Sequence, residues 1–291
     1  MILTVTLNAA LDITYSVPSL VPGTTHRVRK VSQRAGGKGI NVARVLHQLG
    51  LPVLATGLAG GLAIDLPHSF APLSASSRRT VTVVDGGGAT LLNEPGPEVS
   101  SAEWLRFVDH FRILAREATV VVLSGSLPPG VPLDAYAALV SLVDCPTIVD
   151  ASGSALSHAL AARPDVVKPN ADELLEVTGH RSPQAGAAAL VRSGARAVVA
   201  SLGPEGLVAV TESESWQLAP PAFLAGNPTG AGDACVAGIA AGLHSGASWP
   251  SLLREAVALS AAAVLHPVAG GFDPSAYEQL HATLPEARKA L

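Results

Sequence analysis

Cysteine is nearly absent, with only Cys145 and Cys235 among 291 residues. Two thiols cannot build a disulfide framework, so the composition points to a reducing, cytoplasmic setting. Charge is sparse too, at 14% of residues with a net of −4. No broad basic field exists to hold nucleic acid or an anionic membrane surface, which leaves small anions as partners for the local basic residues. No run approaches the roughly 18 uninterrupted apolar residues of a membrane span. Residues 1–7 lack the basic region and small-residue cleavage site of a signal peptide and read as a buried strand. The histidines show neither H-E-x-x-H nor H-x3-H spacing, which argues against a metal hydrolase. Cys235 reads as a small packing residue rather than a redox group.

What is plentiful is apolar, at 48% of the chain, as expected of a large buried core and not of disorder. Short β-like runs at 2–7, 53–57, 120–123, 147–149, 166–167 and 197–201 alternate with helical patterns at 39–49, 104–111, 133–143 and from about 172. Ser100-Ser101 supplies a helix start, 206–210 with 215–218 reads as a hairpin, and helices follow Gly230 and cover 252–265 and 277–284. This order predicts an α/β fold: a mostly parallel sheet covered on both faces, in one domain spanning 1–291. Two stretches, 12–34 and 78–95, alternate like strands without a helix between them. They predict a small second sheet, with Gly86-Gly87-Gly88 as a turn.

Four motifs carry chemistry. In Asn227-Pro228-Thr229-Gly230-Ala231-Gly232-Asp233 a glycine turn runs straight into a helix. The first helical N–H groups carry partial positive charge and suit an anion such as a transferring phosphoryl group. Asp233 in that turn can accept a hydroxyl proton, and the helix dipole should keep it ionised. The plainer alternative is an aspartate stabilising a helix start. The second motif, Gly36-Gly37-Lys38-Gly39-Ile40-Asn41, sets backbone donors and one ammonium before a helix. It lacks Walker A spacing and can also be a simple packing turn. The third is Lys168-Pro169-Asn170, where Asn170 can cap a helix. Asn170 and Glu173 share a face and can together hold a hydrated Mg²⁺. The fourth pair, Ser124-Gly125-Ser126 and Ser201-Leu202-Gly203-Pro204-Glu205-Gly206, follows strands, where open α/β sheets place ligands. Turn chemistry alone also explains both.

Together and in this order, these motifs resemble the PfkB (ribokinase-like) family of sugar kinases along essentially the whole chain. Thr6-Leu7-Asn8-Ala9-Ala10-Leu11-Asp12, Leu92-Asn93-Glu94-Pro95-Gly96-Pro97-Glu98 and Ser124-Gly125-Ser126-Leu127-Pro128-Pro129-Gly130 look most like its phosphosugar branch of 1-phosphofructokinase and tagatose-6-phosphate kinase. The resemblance implies a three-layer α/β/α sandwich with a small β-sheet lid, ATP and Mg²⁺ as cofactors, and fructose 1-phosphate as the substrate. Tagatose 6-phosphate and fructose 6-phosphate are the alternatives, and a non-catalytic binding protein on the same fold is an alternative of another class.

The resemblance also implies roles. Asp12, Gly37, Lys38 and Asn41 would line the sugar pocket. Arg78 and Ser126 would bind the sugar's phosphate, and Arg27 would reach a substrate, sometimes across a dimer formed through the lid. Lys168, Asn170, Glu173 and Thr229 would serve the nucleotide phosphates and metal, and Ser201, Gly203 and Gly206 would border the nucleotide. Gly230, Ala231 and Gly232 would form the anion hole and Asp233 the base. Asn227-Pro228-Thr229 departs from the family's Asp-Thr-Thr, and Thr80 stands at a common asparagine. After Gly60-Gly61 a peripheral helix is shortened or missing, with exposed apolar surface or a weaker fold near the substrate side as the alternative consequences.

Overall fold

The computed structural model describes residues 1–86, 88–220, 224, 226–266 and 268–289. The chain begins with β1 (Ile2–Thr6), β2 (Ala10–Ser16), β3 (Lys30–Gly36), α1 (Lys38–Gln48), β4 (Val53–Ala59) and β5 (His68–Pro72). Next come β6 (Arg78–Asp85), β7 (Gly88–Asn93), α2 (Ser101–Ala115), β8 (Val120–Ser124), α3 (Ala135–Val140) and β9 (Thr147–Asp150). Then follow α4 (Gly153–Ala159), β10 (Val166–Val167), α5 (Ala171–Thr178), α6 (Pro183–Arg192) and β11 (Ala197–Ser201). The chain closes with β12 (Leu207–Thr211), β13 (Ser215–Leu218), α7 (Ala231–Ser245), α8 (Trp249–Val264), α9 (Pro274–Thr283) and β14 (Arg288–Lys289).

The main sheet has the order β14-β13-β12-β11-β10-β9-β8-β1-β4-β5. From β5 to β11 all pairings are parallel, and the β11–β14 end is antiparallel. Alternation along each central strand feeds two separate cores. Val120 and Val122 of β8 pack with Ile40, Leu46, Val236 and Leu259 on one face. Val121 and Leu123 pack with Phe107, Phe111, Tyr136 and Leu156 on the other. This is the three-layer sandwich that near-continuous apolar strands require. No described helix is long and apolar enough to cross a membrane.

The predicted second sheet is present as β3-β2-β6-β7, with β2 and β6 parallel. It leaves the main sheet at the carboxyl end of β1, so it overhangs the place where parallel strands end. The expected glycine turn of its β6–β7 hairpin lies partly outside the described residues, at Gly87.

Several boundaries differ from expectation. α3 covers only Ala135–Val140, because Leu133 is an exposed residue of the Pro132 turn. α4 and α6 had no expected counterpart: their Ala, Gly and Ser content gives little apolar contrast. Ser182 caps α6 with Pro183 in its first turn, a start signal that the sequence does carry. The missing helix after Gly61 is real, since residues 60–67 join β4 to the parallel β5 without one. A parallel crossover normally takes a dozen or more residues, about one helix. The expected apolar exposure does not follow, because Leu66 is buried and Leu62 and Ile64 pack on the core. Arg44 ties Asp65 of this segment to α1 at 2.6 Å.

Candidate active site

A cavity of about 1010 Å³ opens between the small sheet and the carboxyl ends of the central strands. Asp12, Gly37, Lys38, Asn41, Arg78, Lys168, Asn170, Ser201, Gly203, Gly206, Thr229, Gly230, Ala231, Gly232 and Asp233 all line it. These residues come from across the chain, and the topology gathers them in one place. Three expected residues stay outside the lining. Glu173 is folded back on Asn170, and Ser126 is exposed. Arg27 is an exposed loop residue outside the cavity lining.

Asp233 lies in the first turn of α7, only 7% exposed. Asn41 Nδ2 donates to its Oδ2 at 2.8 Å. The expectation of a fully ionised carboxylate held by the helix dipole is corrected here. Burial and the nearby Asp150 carboxylate outweigh Lys38, Asn41 and Lys168, and the Asp233 pKa is pushed up to about 7. That suits a general base better than an ordinary carboxylate would.

The turn before it is made by Gly230 at φ 88, left-handed backbone that favours glycine. Ala231 N–H bonds to Pro228 O at 3.2 Å. Among the described residues, the amides of Gly232 and Asp233 have no such partner and are available to an anion. Lys168 Nζ lies 3.9 Å from where a Gly232 Cβ would stand, so an ammonium flanks the same turn.

Sequence reasoning missed Asp150, the last residue of β9. It is 1% exposed, and its Oδ1 meets both Lys38 Nζ and Lys168 Nζ at 3.3 Å. Burial alone would raise its pKa, but Lys168 and Lys38 hold it below the usual value. Its Oδ2 has no hydrogen-bond partner among the described residues. A charged residue closing an apolar strand was the available signal.

Asp12 lines the cavity from β2 of the small sheet. A Cβ on Gly36 would stand 1.8 Å from Asp12 Oδ2, so the glycine makes room for that carboxylate. Burial raises the Asp12 pKa against the pull of Arg34 and Arg78. Arg78 Nε donates to Asn8 O at 3.3 Å and Nη1 to Glu94 O at 3.0 Å. Asn8 Nδ2 in turn donates to Ser126 Oγ at 3.0 Å, so Ser126 supports Arg78 from behind. Apolar groups, among them Leu207, Leu224, Val257 and Val264, line a further part of the cavity.

Asn170 and Glu173 form a capping box at the start of α5: Glu173 N–H donates to Asn170 Oδ1 and Asn170 N–H to Glu173 Oε2. Both present hard oxygen donors, which suit Mg²⁺ carried in with phosphates and waters. No cluster of three acidic, His or Cys ligands occurs among the described residues.

A glycine-rich helix turn, a buried carboxylate beside it and a polar pocket under a small sheet are the parts that phosphoryl transfer to a hydroxyl calls for. The family of pfkB carbohydrate kinases matches residues 5–275, and the chain belongs to that family. It is therefore a sugar kinase, and a phosphofructokinase-like one. Phosphofructokinase-2 from Escherichia coli in complex with fructose-6-phosphate is 31% identical, with a TM-score of 0.87 over 97% of this chain and 98% of that one. The tetrameric inhibited form of the same enzyme matches with a TM-score of 0.87 at 30% identity, covering 97% and 98% of the two chains. A Thermotoga maritima protein described as a possible 1-phosphofructokinase has the same fold, with a TM-score of 0.84 over 100% of both chains at 23% identity.

Proposed function

We propose that this protein transfers the terminal phosphate of MgATP to a ketohexose phosphate, converting fructose 1-phosphate to fructose 1,6-bisphosphate. One observation carries the reading: the Asp233 carboxylate and the Arg78 guanidinium line one and the same cavity. A base and a phosphate-gripping cation in one cavity suit an acceptor that already carries a phosphate.

Asp12 and Asn41 orient the sugar hydroxyls, and Arg78 grips the resident phosphate. The acceptor oxygen faces Asp233, which takes its proton late, as the phosphoryl group passes through a loose transition state. Gly232 and Asp233 N–H, with Lys168 and Lys38, stabilise the charge on the transferring group. Ser201, Gly203 and Gly206 border the nucleotide, and the apolar stretch at Leu224, Val257 and Val264 receives its base. Mg²⁺ would be held through water by Asn170 and Glu173, and it would neutralise phosphate charge.

A second copy joined through the small sheet is part of the same reading. The outward-facing Val31 and Leu92 are 52% and 59% exposed, and pairing would cover them. Arg27 would then have a neighbour's cavity to reach.

The test is an ADP-release assay with fructose 1-phosphate, fructose 6-phosphate, tagatose 6-phosphate and the unphosphorylated sugars. The highest kcat/KM is expected with fructose 1-phosphate. A preference for an unphosphorylated sugar would overturn the role of Arg78. Ligand-induced stabilisation without ADP release would indicate a binding protein on a kinase scaffold.

A further inference from the structure

A row of side chains crosses the cavity side of the small sheet. Arg34 on β3 pairs in register with Asp12 on β2, and Asp12 pairs with Thr80 on β6. Residues opposite one another across paired strands project from the same face, and all three line the cavity. Arg78 lies two positions before Thr80 on β6, so it projects from that face as well. Asp12 thus has a guanidinium on either side, and both act on its charge.

The two guanidinium groups are held differently. Arg78 is fixed by the backbone carbonyls of Asn8 and Glu94. The Arg34 side chain makes no hydrogen bond or ion pair among the described residues, although its backbone is paired with β2. Its neighbour Arg44 is already engaged by Asp65 and by Ala35 O, and Arg44 repels Arg34 instead of satisfying it. Lys38 and Lys168, further along the cavity, already share Asp150. Asp12 therefore lies between two guanidinium groups, with Asp65 also acting on Arg34 and Glu94 on Arg78, and the less restrained of the two has an unused fork of donors. A partly buried charge in this condition is costly until an anion satisfies it.

We propose that Arg34 is a specificity-determining residue that binds the phosphate already carried by the sugar, closing on it from the side opposite Arg78. The inference rests on the sugar-phosphate kinase reading above. Two guanidinium groups match the double charge of a phosphate monoester, and each can grip it through paired N–H donors. With the phosphate between them taking up the guanidinium charge, Asp12 accepts from a sugar hydroxyl. An unphosphorylated sugar would leave both cations unsatisfied, so the arrangement selects against it.

Arg34→Met and Arg34→Lys separate this from a structural role. Calorimetric titration with the three sugar monophosphates, and separately with MgADP, is combined with steady-state kinetics. Arg34→Met is expected to weaken sugar-phosphate binding about tenfold or more, and Arg34→Lys to weaken it less. MgADP binding stays unchanged, and KM for the sugar phosphate rises while kcat holds. Unchanged sugar-phosphate affinity in Arg34→Met would overturn the inference, as would an equal loss of MgADP affinity. Wild-type protein that binds sugar phosphates in an Arg34-dependent way but transfers no phosphate would overturn the kinase reading and leave the inference standing. Wild-type protein that binds no sugar phosphate would overturn both.

Discussion

Asn41 donates its side-chain amide to the carboxylate of Asp233 at 2.8 Å, across 192 positions of sequence. The bond joins the two glycine-rich motifs into one site. It also fixes the orientation of the base, because Oδ2 is held and Oδ1 is left for the acceptor hydroxyl. Asp233→Asn is nearly isosteric and should keep the fold. Turnover is expected to fall by about 10²-fold or more. Steady-state kinetics beside a thermal melt would check both halves of that expectation.

The same carboxylate sets a pH dependence. With Asp233 pushed up to about 7, the free enzyme loses its base as pH drops below that value. The acid limb of kcat/KM should therefore bend near neutrality and fall about tenfold per pH unit beneath it. Asn41→Leu removes a hydrogen bond that favours the ionised form, so the bend should move to higher pH. A profile flat down to pH 5 would reject Asp233 as the titrating base.

Asp150 holds two lysines, and Lys168 is almost wholly buried, at 4% side-chain exposure. Asp150→Ala strands that charge. Breaking a buried pair from one side costs about 3–5 kcal/mol, so urea denaturation should show a loss of that order. Asp150→Asn keeps the shape and an acceptor oxygen, and it should lose less stability.

Gly36→Ala places a methyl group where the Asp12 carboxylate now lies. The expected outcome is a raised KM for the sugar phosphate with nucleotide affinity unchanged, measured by initial rates with each substrate varied in turn. Equal damage to both would mean that the substitution disturbs α1 rather than the sugar pocket.

Much of this site is legible before folding, for a physical reason. Gly36-Gly37-Lys38, Lys168-Pro169-Asn170 and Gly230-Ala231-Gly232-Asp233 are each local solutions to a backbone problem, so their chemistry sits in consecutive residues. The strands are legible because burial on both faces makes them uniformly apolar. Asp150 and Arg34 are not legible in this way, since their meaning comes from partners brought in by sheet order and register. Asp150 matters because β9 lies between β8 and β10, and Arg34 because β3 aligns it with Asp12. α4 and α6 escape notice because small residues blur the helical period. The ionisation of Asp233 is illegible for a related reason: the helix dipole can be seen in sequence, whereas the depth of burial cannot.

The small sheet has one more implication. Arg34, Asp12 and Thr80 stand on three strands whose backbones are hydrogen-bonded to one another, while Asp233, Lys168 and Asp150 belong to the main sheet and its helices. In the proposed reading, acceptor choice thus rests largely on one sheet and phosphoryl transfer on the other. Selection could retune the first by exchanging residues along one ladder rung without disturbing the second.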